Sequence, residues 1–80
     1  MILDGGNAMD ICYALVVEVD GKVDSVRLFW SRKTADEQMQ RTYAEMKNLN
    51  YVYRSIDSTQ AIVVTENTYI KMRIEEMEII

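Results

Sequence analysis

The sequence predicts an α+β fold: an antiparallel sheet of four to five strands with one amphipathic helix packed on one face, in the order β-β-α-β-β-β. Three observations predict it. An Asp20-Gly21 turn joins two stretches of alternating apolar residues, a capped amphipathic segment follows from Thr34, and three β-rich stretches come after it between turn residues. The 80 residues suit a single domain spanning 10–80, with residues 1–9 (MILDGGNAM) reading as a mobile arm that carries a Gly pair and no periodicity.

Asp-Gly favours a two-residue type I′ turn, in which both central residues need positive φ. An unbroken ladder from that turn sets Val19 opposite Lys22, Leu15 opposite Val26 and Tyr13 opposite Leu28. One face then collects Ile11, Tyr13, Leu15, Val17 and Val19 with Val26, Leu28 and Trp30, and this is the expected core face. Cys12, Ala14, Val16 and Glu18 fall on the other face with Val23, Ser25, Arg27 and Phe29.

Thr34-Ala35-Asp36-Glu37 fits a capping box, and both acids suit the positive end of the helix dipole. Ala35, Met39, Thr42, Tyr43, Met46 and Leu49 recur at helical spacing, which makes them the face that covers the sheet. Glu37 and Arg41 form an i,i+4 pair, and the helix should fade at Asn48 to Asn50.

Tyr51–Ile56, Gln60–Thr65 and Thr68–Ile74 read as strands, with Asp57-Ser58-Thr59 and Glu66-Asn67 between them. A turn at Glu66-Asn67 pairs Val63 with Ile70 and Ala61 with Met72. Beyond Ile74 the alternation loses phase, because Glu75 and Glu76 are adjacent and Met77 opens a new set. A bulge or a frayed tail accounts for that, and Ile70, Ile74 and Met77 also fit helical spacing.

Composition narrows function. The chain has no histidine and a single cysteine, Cys12, so the side chains that most often do chemistry near neutral pH are scarce. A lone thiol suits a reducing, cytoplasmic setting, and the longest apolar run, Ile11 to Val17, is too short to span a bilayer. Neither a cofactor nor a metal site is expected. Glu18, Asp20 and Asp24 lack the alternating spacing of a calcium loop, and Cys12 has no neighbouring cation to activate it. Met39 and Met46 read as core filling; Trp30 becomes an interface anchor only where the helix leaves it uncovered.

The net charge of −4 is unevenly spread: acids dominate residues 1–20 and the last six positions, with bases between them. Three function classes are compatible with this. The first is a non-catalytic protein that binds and modulates a macromolecular partner, either a protein or a protein–nucleic-acid complex, as a homodimer. Its contacts would come from the acids Glu75, Glu76, Glu78, Asp36 and Glu37 and the aromatics Phe29 and Tyr53. The second is a nucleic-acid module that stacks and holds single strands on the open sheet face through Arg27, Tyr69, Lys71 and Arg73, joined by Tyr51 and Tyr53 or by Arg54 depending on strand phase. The third is a subunit of a small dimeric enzyme or ligand-binding protein whose site is completed across the interface.

Small size, acidic balance and missing catalytic groups give the chain a general character that resembles the small inhibitory proteins of phages and mobile elements, anti-CRISPR proteins among them. The resemblance implies a non-enzymatic inhibitor and transfers no site residue.

Overall fold

The route of the chain follows from its two hairpin signals and the single helix between them. The computed structural model describes residues 10–79; residues 1–9, read above as an arm, and Ile80 lie outside the described residues. Strands β1 (Asp10–Val19) and β2 (Lys22–Phe29) form the first hairpin, α1 (Arg32–Glu45) follows with a 3₁₀ turn (Met46–Asn48), and β3 (Tyr51–Ile56), β4 (Gln60–Thr65) and β5 (Tyr69–Ile79) form a meander. The sheet is fully antiparallel in the order β2-β1-β5-β4-β3. The two longest strands, β1 and β5, therefore pair at its centre, and α1 carries the chain across one face from the β2 edge to the β3 edge.

The Asp20-Gly21 turn forms as expected, with φ of 54° at Asp20 and 84° at Gly21, and it pairs Val19 with Lys22 and Glu18 with Val23. The ladder does not continue in that register. A bulge between Val17 and Glu18 leaves Asp24 as an extra residue, so Val17 pairs with Ser25, Leu15 with Arg27, Ala14 with Leu28 and Tyr13 with Phe29. One extra residue reverses every side chain beyond it. Phe29 and Arg27 thus lie on the helix side, whereas Val26 and Leu28 lie on the open side, the reverse of the sequence expectation.

The helix begins earlier than its expected cap. Ser31, with φ −128° and ψ 148°, is the N-cap, and its Oγ accepts from the Thr34 amide at 3.1 Å. Only Trp30 and Ser31 separate β2 from α1, so the chain caps the helix at the first hydroxyl it meets. Glu37 consequently lies beyond the first turn, which holds no acid, and pairs with Lys33 at 3.7 Å rather than with Arg41.

Leu15, Met39, Ala61 and Met72 form the core, ringed by half-buried Val17, Phe29, Tyr43, Met46 and Ile74. Ala35 and Ala61 are fully buried, and their small size brings the helix close to the sheet. Leu49, expected on the buried helix face, is exposed past the end of α1. The last hairpin has the expected register, Val63 with Ile70 and Ala61 with Met72. β5 then runs unbroken to Ile79, paired with β1 down to Asp10 and Ile79, with neither the bulge nor the frayed tail expected after Ile74.

Candidate interaction surface

Alternation assigns the face turned away from the helix. β1 contributes Cys12, Ala14, Val16 and Glu18, and β5 contributes Tyr69, Lys71, Arg73, Glu75, Met77 and Ile79. Beyond the bulge β2 adds Val26 and Leu28; β4 adds Gln60, Ile62 and Val64; and β3 adds Tyr53 and Ser55. Rows across the strands define its relief. Ala14 sits between Leu28 and Glu75, Val16 between Val26 and Arg73, and Cys12 beside Met77.

Cys12, Ala14 and Val16 are buried although α1 lies on the other face, and the residues paired beside them on β2 and β5 have longer side chains. The result is a shallow trough along β1 with a floor of small residues. Its β2 wall is apolar and exposed: Val26 is 52% accessible, Leu28 62% and Trp30, just past the strand, 72%. Met77 forms the opposite wall at the same end, also exposed. There the trough deepens into a cleft of about 240 Å³ lined by Cys12, Leu28, Phe29, Trp30 and Ile79.

The phase change after Ile74 now has a physical cause. From Ile70 to Ile74 the apolar residues of β5 face the helix, whereas Met77 and Ile79 face away from it. The core cluster formed with the helix reaches no further along β5 than Ile74. Past that point the apolar side of the strand turns to the open face, and Glu76 and Glu78 take the other side opposite Tyr13 and Ile11.

The expected contact residues do not share one surface. Glu75 lies on the open face, while Glu76 and Glu78 lie on the helix side. Asp36 accepts from Gln40 Nε2 at 3.0 Å and lines a hollow with Arg32, Ile56 and Asp57; Glu37 pairs with Lys33. Phe29 is half-buried against the core, and Tyr53 stands exposed on the open face of the far edge strand.

Of the basic set, Tyr69, Lys71 and Arg73 do fall in one row on the open face of β5, but Arg27 is turned to the helix side, 5.3 Å from the Phe29 ring centre. Arg73 is already engaged: Nε donates to Glu75 at 2.6 Å and Nη1 to Glu18. Those bonds, to Glu75 first and then Glu18, push the guanidinium further above its ordinary value. Glu18 and Glu75 against Lys71 and Arg73 leave this central part of the face without net charge.

Sequence reasoning missed Val26, Leu28 and Met77 as surface residues. One signal for them was present, the phase change at Glu75 to Met77. It also missed an aromatic clamp on the helix side. The Arg54 guanidinium lies 4.2 Å from the Tyr43 ring centre and 4.8 Å from that of Tyr51, and its Nε donates to the Tyr43 hydroxyl at 3.0 Å.

Among the described residues no group of three or more His, Cys, Asp or Glu side chains is placed to hold a metal ion, and no helix is long and apolar enough to cross a membrane. No protein-family model, curated protein or solved structure matches the chain.

Proposed function

We propose that this is a small non-catalytic protein that acts by binding another macromolecule through the sheet face turned away from its helix. The observation that carries this reading is the trough along β1, whose exposed wall of Val26, Leu28 and Trp30 stands beside a buried, uncharged floor. An apolar strip of that size bordered by compensated charges favours a protein surface over a polyanion. Nucleic acid would require free cations, and Arg73 is held by two carboxylates while Arg27 faces away. Inhibition of the bound partner is the finer part of the proposal, and it rests on the small size and acidic balance of the chain.

The test is capture from host lysate with nuclease treatment before the wash, using chain that carries a photo-cross-linker at Leu28, at Tyr53 and, separately, at Arg41. A foreign protein cross-linked from Leu28 or from Tyr53, both on the open face, and not from exposed Arg41 is the expected result. Retention of nucleic acid alone, lost on nuclease treatment, would replace this reading with the nucleic-acid one.

A further inference from the structure

We infer that the apolar end of the open face, from Val26 to Trp30 on β2 and across the trough to Met77 and Ile79, takes a second copy of this chain in a two-fold symmetric dimer. The inference rests on the reading of that face as a contact surface, and it names the occupant of its apolar end. The polar remainder around Tyr53, Tyr69 and Lys71 stays free for a foreign partner.

Self-complementarity is the first argument. A two-fold contact requires one patch to carry both a projection and the recess that receives it. Among the described residues Trp30 is the most exposed of the large apolar side chains, and it lines the cleft over Cys12 together with Leu28 and Ile79. Rotation about an axis through the strip sets each Trp30 against the other copy's cleft. Tryptophan in a desolvated recess is the side chain that most often anchors such contacts.

Area is the second. Val26, Leu28, Trp30 and Met77 together leave on the order of 500 Å² uncovered, within the range that the largest patch on a monomer spans. With the polar rim included, this approaches the roughly 800 Å² per partner of a standard interface. The core is thin, with Met39, Met72 and Val63 the largest fully buried side chains among the described residues. Domains of about this length commonly gain stability by oligomerising.

Charge and edges exclude the alternatives. The chain carries −4, yet next to the strip Glu18 and Glu75 stand against Lys71 and Arg73, so the central part of the face adds no net charge to the contact. Sheet extension through an edge strand is obstructed, because both edge pairs are bulged, β2 opposite Val17 and Glu18 and β3 between Tyr51 and Tyr53.

The experiment uses the full chain. Sedimentation equilibrium is combined with the emission of Trp30, the only tryptophan in the chain. The expected result is a mass rising to twice 9.3 kDa with concentration, with a parallel blue shift as Trp30 leaves water. Leu28→Glu should weaken the dimer by at least about 30-fold. Tyr53→Glu, on the same face but outside the strip, should leave it unchanged. If Leu28→Glu fails to fold by circular dichroism, Trp30→Ala replaces it, the mass supplying the readout.

A wild-type chain that stays monomeric to about 100 µM would overturn the inference. A dimer whose Trp30 emission does not move and which survives Leu28→Glu would overturn it equally. A monomer whose Leu28 still cross-links a foreign protein removes the second copy and leaves the contact-face reading standing. A dimer whose Leu28 cross-links only its own copy is the expected result, and a foreign partner is then cross-linked from Tyr53; a dimer from which neither position captures a foreign protein keeps the second copy and removes the foreign partner.

Discussion

Asp20 and Tyr69 are joined in both directions: the Asp20 amide donates to the Tyr69 carbonyl at 2.7 Å, and the Asp20 carboxylate accepts from the Tyr69 amide at 2.9 Å. The first residue of the β1–β2 turn thus pins the start of β5, 49 positions away in sequence. One side chain has two tasks here, to tolerate a φ of 54° and to supply an acceptor. Asp20→Ala fails at both and should cost about 1–3 kcal/mol. Asp20→Asn keeps the conformation and the carbonyl oxygen and should cost less than half of that. Urea unfolding of the two variants separates them; equal losses would show that the cross-strand bond contributes little.

The β3–β4 turn is built on one carboxylate. Asp57 Oδ1 accepts from the Thr59 amide at 2.8 Å, the Gln60 amide at 3.0 Å and the Thr59 hydroxyl at 2.9 Å. These bonds, the Thr59 amide foremost, hold the carboxyl below its ordinary value of 3.8. A carboxyl depressed in the folded state adds stability that is whole above the unfolded value and fades as pH falls through the folded one. The wild-type melting temperature should therefore fall below about pH 4 more steeply than that of Asp57→Asn, which keeps an acceptor but no titrating group. Parallel melting curves from pH 5 down to pH 2 would remove the turn carboxylate from the acid response.

The helix start offers a clean comparison between neighbouring hydroxyls. Ser31→Ala removes the acceptor that caps α1 and should cost about 1 kcal/mol. Thr34→Ala leaves that acceptor in place, removing only a hydroxyl bonded to Ser31 at 2.8 Å, and should cost less. The opposite order in chemical denaturation would restore Thr34 as the cap.

Leu15 and Leu28 test the bulge. In the unbroken register both leucines face the core; in the structure Leu15 is 3% accessible and Leu28 62%. Leu15→Ala should cost about 2–5 kcal/mol, whereas Leu28→Ala, measured in dilute monomer, should fall within about 0.5 kcal/mol of wild type.

The same pair shows what sequence can and cannot convey. Turn chemistry at Asp20-Gly21 and at Glu66-Asn67 was legible because it is local, and so were the element order and the last hairpin's register. The bulge at Asp24 was not. Both alternating sets of β2 contain apolar residues, Val23 and Phe29 in one and Val26, Leu28 and Trp30 in the other, so periodicity alone does not choose between them. Packing chooses, because the helix takes Phe29 into the core. The contact surface was hidden for the same reason: an apolar residue on a strand is marked as buried by its pattern, and only the reach of the helix shows which ones it leaves uncovered. The acidic C-terminal set looked like one patch in sequence, but adjacent residues of a strand point to opposite faces, which divides Glu75 from Glu76 and Glu78.

Arg73 decides between the protein and nucleic-acid readings of the open face. It lies in a row with Tyr69 and Lys71, an arrangement able to stack bases and hold phosphates, but Glu18 and Glu75 occupy its guanidinium. A phosphate would have to displace two carboxylates that are already oriented and partly shielded from water. Wild-type protein should therefore show no saturable binding to a single-stranded oligonucleotide at about 150 mM salt. Glu18→Gln combined with Glu75→Gln frees Arg73 and changes the net charge from −4 to −2, since each substitution removes one carboxylate. That variant should gain weak binding whose logarithm falls linearly with the logarithm of salt concentration. Fluorescence anisotropy across a salt series reads both. Tight wild-type binding, abolished by Lys71→Glu, would return the sheet face to nucleic acid and leave the compensated charges of Glu18 and Glu75 without the masking role argued for them.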